Sequence, residues 1–143
     1  FFIIICQGFV MKKIVLILYT LLFSMMSLTS SNADWKQVWN SLGDTYYLNF
    51  NKIKKSDGYV YYWQLLNYVK PDEYGHLSSK GYTQGDCKMF RFKFLSSSLH
   101  KERMGNGTGE VDNVPDKTWT YPSPNSVFED NLKSVCKHAQ NLD

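Results

Sequence analysis

Of the chain's 143 residues, the 110 from Asp34 onward have room for one domain and not for two. Hydrophobic residues make up 43% of the chain and aromatics 16%, which argues for a packed core and against disorder. Two of its +3 formal charges are Lys12 and Lys13, so the rest is almost neutral and offers no electrostatic case for nucleic-acid binding.

Phe1 to Val10 is an apolar stretch without an initiating methionine and reads as an upstream extension. Cys6 lies in it with no small residue just before it, unlike a lipoprotein acylation site. Met11, Lys12 and Lys13 then lead into the apolar run Ile14 to Leu28, followed by Thr29, Ser30, Ser31, Asn32 and Ala33. A basic start, an apolar middle and small residues at Ser31 and Ala33 form a secretory signal pattern, with cleavage expected before Asp34. A membrane-spanning helix needs about 20 apolar residues. The run falls short of that, and extending it backwards would put two lysines in mid-span. The organisation expected is therefore an extension at 1–10, a signal peptide at 11–33 and one domain at 34–143. The protein would be exported, to the periplasm or the outer surface, with no stable membrane span after cleavage.

The expected mature chain has 110 residues, with 14 Lys and Arg against 13 Asp and Glu. Cys87 and Cys136 are its two cysteines. In an exported chain an even count predicts a disulfide. Closing that loop stabilises a domain by about 4 kcal/mol in the chain-entropy model.

Trp35, Val38, Trp39 and Leu42 fall at helical spacing and read as one short helical turn or an irregular lead-in. Tyr46 to Phe50 reads as a strand. Ser56-Asp57-Gly58 is a turn signal, and Tyr59 to Val69 a second strand, pairing with the first as a hairpin around Ile53 to Asp57. Pro71 to Ser79 reads as a polar loop and Lys80 to Gly85 as a weak strand. Cys87 to Leu95 is a stronger one, with Phe90, Phe92 and Phe94 on one face and Arg91 and Lys93 on the other. It continues as a partly exposed strand toward Arg103. Gly105 to Gly109 reads as a turn. Val111 to Tyr121, interrupted by Pro115, reads as irregular with a short edge strand at Thr118 to Tyr121.

The last element is the clearest. Ser126-Val127-Phe128-Glu129 matches the capping box, in which the serine oxygen accepts from an amide three residues on and the glutamate reaches back. Phe128, Leu132, Val135, Cys136 and Ala139 then share one helical face. A Cys87–Cys136 bond would bolt that helix to the sheet.

These features resemble the surface-adhesin protein E family. The resemblance rests on Trp39 and Tyr46-Tyr47, on Ile53-Lys54-Lys55 with Val60 and Trp63, and on Ser78-Ser79. It continues through Asp86-Cys87 with the basic-aromatic run Lys88 to Phe94, then Trp119, Tyr121, Pro124 and Val135-Cys136. It implies an α+β fold: an antiparallel sheet of about six strands, with a C-terminal helix packed on one face and tied by the Cys87–Cys136 disulfide. It also implies a surface adhesin, dimeric in the founding member, that binds extracellular-matrix and serum proteins. Haem comes in by family analogy only. Fold transfers more safely than function.

One conflict stands in the sequence. In a regular strand Cys87 shares its face with Met89, Arg91 and Lys93, opposite the phenylalanines. Either a bulge after Cys87 reverses the parity or the second face is covered as well. Tyr59 to Val69 is apolar on both faces, which favours the second option, and a dimer through the sheet satisfies both.

Catalytic and metal sites find no support. His76, His100 and His138 have no metal-ligand spacing, and His138 suits a helix C-terminus as a cation. Gly105 to Gly109 lacks the following helix of a phosphate cradle, and Asn106-Gly107-Thr108 is only formally a glycosylation sequon. Asp86 and Glu110 have no partner visible in sequence, whereas acid–base catalysis needs a positioned group. The expectation is a non-enzymatic binding module with no cofactor. One helix covers one face only, and exposed Tyr and Trp are enriched at binding hot spots. The candidate partner surface is Tyr59, Tyr61, Trp63, Phe90, Phe92 and Phe94, for a protein partner or a second copy. The alternative is a periplasmic small-ligand or haem-binding accessory protein.

Overall fold

The computed structural model describes residues 34–112 and 118–142. The upstream extension, the signal peptide and Pro115 lie outside the described residues.

Seven strands are described: β1 (Lys36–Ser41), β2 (Asp44–Leu48), β3 (Lys54–Ser56), β4 (Tyr59–Asn67), β5 (Ser78–Asp86), β6 (Arg91–His100) and β7 (Gly109–Asp112). One helix, α1 (Val127–Ala139), follows, and short 3-10 turns lie at Phe50–Lys52 and Arg103–Gly105. All pairings are antiparallel, in the order β1-β2-β4-β5-β6-β7, with β3 also on β4. β2 pairs the C-terminal part of β4 and β3 its N-terminal part, so one side of β4 is shared by two short strands. β6 repeats the pattern, with β7 on Ser97 to His100 and Thr120 bridging Phe92. This is the antiparallel sheet with one C-terminal helix that the sequence led us to expect.

Three local readings are corrected. Trp35 to Leu42 contains a strand and no helical turn: Gln37 pairs Tyr47 and Trp39 pairs Tyr46, so Val38 is an extra residue. A bulge shifts parity by one, and apolar residues either side of it then mimic helical spacing. The weak strand at Lys80 to Gly85 is in fact β5, a central strand buried along much of its length. Its two glycines suit that place. A Cβ on Gly85 would come within 2.9 Å of both Leu132 and Val60, so the helix can settle here only on a residue without one. Finally, Cys87 belongs to no strand. Residues 87–90 form the β5–β6 turn, closed by Asp86, whose carboxylate accepts from the amides of Lys88 and Met89 at 3.1 and 3.0 Å. Phe90 sits there with φ +51°.

That turn dissolves the parity conflict. Phe92 pairs Gly85, which pairs Val60, so Phe92 faces α1 without any bulge after Cys87. The bulge that does occur lies opposite Tyr82/Thr83, at Leu95.

Helix α1 starts as its sequence predicts. Ser126 Oγ accepts from the Glu129 amide at 3.2 Å, while Glu129 reaches back to the amide of Asn125, one residue before the position a capping box uses. Its buried Val135 and Ala139 form one cluster with Leu48, Ile53, Val60 and Tyr62, and Leu132 is buried over Gly85. Burial drives the Tyr62 hydroxyl well above the usual tyrosine range. Phe128 stacks on Phe92 with centroids 5.3 Å apart and meets Phe94 edge-on. The Cys87–Cys136 disulfide ties the helix to the β5–β6 turn across 49 residues of sequence.

Candidate functional site

Directly paired residues in an antiparallel sheet point to one side. The register therefore assigns the face opposite α1. Tyr59, Tyr61 and Trp63 of β4 lie on it, opposed by Asp86, Gln84 and Tyr82 of β5, which are opposed in turn by Arg91, Lys93 and Ser96 of β6. Lys54 and Ser56 of β3 flank the same rows.

The six candidate residues are thus divided. Tyr59, Tyr61 and Trp63 share the second face and are half-buried. Phe92 and Phe94 lie on the helix face, where Phe92 is 4% exposed, and Phe90 is in the turn. Two aromatics join the first three. Tyr82 stacks on Trp63 at 4.8 Å, and Trp119, carried back to the β6 edge by the Thr120 bridge, stacks on Tyr59 at 5.5 Å. Arg91 and Lys93 lie 4.6 and 4.7 Å from the Trp119 ring centroid, within cation–π range. Gln84 Nε2 donates to the Tyr61 hydroxyl at 3.1 Å. Burial, with Tyr61 beside it, raises the Tyr82 hydroxyl above its usual range.

Sequence reasoning missed Tyr82 and Trp119 because cross-strand register brings them in. Tyr82 lies among Ser, Lys, Thr, Gln and Gly, where no alternation marks a strand. Trp119 follows a proline-interrupted segment, and its pairing through Thr120 leaves no local trace.

Among the described residues, one end of the second face is covered. There the 3-10 turn Arg103–Gly105 lies over Asn67, Ser78 and Lys80. Asn67 Oδ1 accepts from the Met104 amide at 2.8 Å, and Ser78 Oγ from the Gly105 amide at 2.9 Å. Arg103 donates to the carbonyls of Tyr68 and Val69. Gly105 suits its place through its φ of +63°, and a Cβ there would also displace the end of the Lys80 side chain.

Asp86 is held between the amides of Lys88 and Met89 and the Arg91 guanidinium, whose Nε donates at 3.0 Å. The Met89 amide first, and then Arg91, keep this buried carboxyl below the usual aspartate range. It is the keystone of the turn that carries Cys87.

Two of the histidines are buried, and the third packs on a ring. His76, 2% exposed, places Nδ1 2.8 Å from Asp72, and its Nε2 lies 3.6 Å from Glu110. His100, 6% exposed, sits between Ser98 and the carbonyl of Asn106. His138 packs edge-on against Phe50. Burial of the first two leaves neither ring open to a haem arriving at the surface. Among the described residues no three His, Cys, Asp or Glu side chains gather as a metal site. Among the same residues no helix is long and apolar enough to cross a membrane. A cavity of about 380 Å³ opens beside the disulfide, between the β3–β4 hairpin and the end of α1, with Lys55, Asp57 and Ala139 in its walls.

The family model for surface-adhesin protein E matches residues 35–137. Two solved structures share the architecture. Crystal form II of Haemophilus influenzae protein E superposes with a TM-score of 0.62 at 15% identity, covering 79% of this chain and 94% of that one. Another structure of Haemophilus influenzae protein E gives 0.58 at 15% identity, covering 76% and 88%. At such identity the likeness carries the fold. No curated protein matches the chain in sequence.

Proposed function

The chain belongs to the surface-adhesin protein E family, and from that premise we propose that it is an exported, non-enzymatic binding module. Its partner surface is the open part of the sheet face opposite α1, centred on Tyr61, Trp63 and Tyr82. One observation carries the reading: around Trp63 this face gathers Tyr59, Tyr61, Tyr82 and Trp119, while among the described residues the helix lies on the other side and the 103–105 turn over the far end. Large rings left half-exposed in a cluster suit recognition better than stability. The partner is a protein, in keeping with an adhesin family.

The test is binding of the purified protein to immobilised extracellular-matrix and serum proteins. Tyr61→Ala and Trp63→Ala should each weaken capture about tenfold or more, with the melting temperature changed far less than by a substitution under the helix. Binding that survives both substitutions unchanged would remove this face from the reading. A second copy of the chain is the competing occupant. A dimer by light scattering that Trp63→Ala dissociates would assign the face to self-association.

A further inference from the structure

Resting on that reading, we infer that the partner presents an acidic polypeptide segment to this face. The first argument is charge placement. Lys54 opposes Tyr61 across the β3–β4 pair, and Lys93 opposes Gln84 across β5–β6, so one row runs Lys54, Tyr61, Gln84, Lys93 with a cation at each end. Lys80 lies on the same face beside Leu65 and is close enough to Lys52 to be influenced by it. Against these stand Asp86, already bound to Arg91, and Asp57 at the β3–β4 turn, which accepts from Ser56. Among the described residues none of the four lysines is paired with a carboxylate.

Residues 34–143 carry 14 basic against 13 acidic side chains, so a basic face means that the acids lie elsewhere. Asp72 and Glu110 flank His76 at the far end, and Glu129 and Asp130 occupy the first turn of α1. Burial under the 103–105 turn, and then the neighbouring Lys52, hold Lys80 below the usual lysine range, so the open part of the face takes its charge from Lys54 and Lys93.

The second argument is ring orientation. Trp63 and Tyr82 are cross-strand partners stacked at 4.8 Å, about the spacing of adjacent strands. Rings that face one another across that gap stand upright on the sheet and turn their edges outward. Aromatic edges carry positive charge and faces negative, so the outward edges favour carboxylate oxygens. The Tyr61 oxygen accepts from Gln84, which leaves its hydroxyl proton to donate. A sugar ring would need an open aromatic face, and here one face of Trp63 is stacked on Tyr82, one of Tyr59 on Trp119, and Trp119 also carries Arg91 and Lys93. This favours an acidic polypeptide over a sulfated polysaccharide.

The probes are poly-L-glutamate, heparin and poly-L-lysine, titrated into the intact protein and followed by NMR. Poly-L-glutamate should shift the Trp63 indole and the Lys93 amide saturably. Its binding should weaken as salt rises past about 0.1 M, where charges about 10 Å apart are screened. Lys54→Glu with Lys93→Glu should weaken it about tenfold at unchanged melting temperature, and Lys54→Glu alone, on an exposed strand, serves if the pair disturbs folding. Binding of heparin without poly-L-glutamate overturns the inference in favour of a polysaccharide. Poly-L-glutamate shifts that fall elsewhere or ignore the reversal also overturn it. If the ring substitutions abolish capture of a matrix protein while charge reversal leaves it intact, the partner surface stands and the acidic partner falls.

Discussion

On the helix side of the sheet, Leu48, Val60, Tyr62, Leu132 and Val135 are each 5% exposed or less, whereas Tyr59, Tyr61 and Trp63 on the reverse are half-buried. The two sides are made from alternate residues of the same strand, so strand propensity cannot explain the difference. What differs is what arrives from elsewhere in the chain. The helix side receives α1, seated on Gly85 and fixed by a disulfide. Among the described residues the other side receives one turn at one end, whose Met104 and Gly105 amides donate to the Asn67 and Ser78 side chains. One side is organised to resist change and the other retains rings and lysines that contribute little to the core.

The comparison breaks most readily on the helix side. Cys136→Ser should cost about 2–5 kcal/mol, read as a lower melting temperature and as earlier amide exchange in α1. An unchanged melting temperature under reducing agent would deny the staple its role. Leu132→Ala removes a side chain with no exposure and should cost about 2–5 kcal/mol in denaturant titration. Gly85→Ala inserts a methyl where 2.9 Å contacts await on both sides and should cost about 1–3 kcal/mol. Ser126→Ala loses the helix cap and should cost about 1 kcal/mol.

Acid tests the junction of the two sides. The Asp86 carboxyl is held below its ordinary value by the Met89 amide first and Arg91 next. A carboxyl with a depressed folded value contributes stability that is complete above its unfolded value, about 3.9. That contribution is lost as pH falls through the folded value. Protection of the Lys88 and Met89 amides, relative to their intrinsic exchange, should fall over that acid range, and Asp86→Asn should remove most of this pH dependence. On the second face the stability effects are smallest: Lys54→Glu should stay within about 0.5 kcal/mol.

The sequence made some of this legible and hid the rest for physical reasons. α1 was readable because its signals are local: a serine cap, a glutamate three residues on, and an apolar stripe. The disulfide followed from two cysteines in a chain read as exported. β5 was nearly invisible, because Ser-Ser-Lys-Gly-Tyr-Thr-Gln-Gly-Asp owes its burial to a helix contributed 40 residues later and to a turn from beyond β6. Phe92 and Phe94 do share one face, and Phe90 leaves it because Asp86 closes a turn inside an alternating pattern. Of the six candidate residues, Tyr59, Tyr61 and Trp63 share the second face because they alternate within one strand, whereas Tyr82, Trp119 and the flanking lysines join them through register alone.

The division between the sides is tested most directly by hydroxyl-radical footprinting of the protein, free and bound to a captured matrix or serum protein. The account predicts that Tyr61, Trp63 and Tyr82 lose oxidation on binding, while Phe128 on the helix side and Tyr74 in the β4–β5 loop do not. Protection of Phe128 with unchanged oxidation of Tyr61 and Trp63 would contradict it.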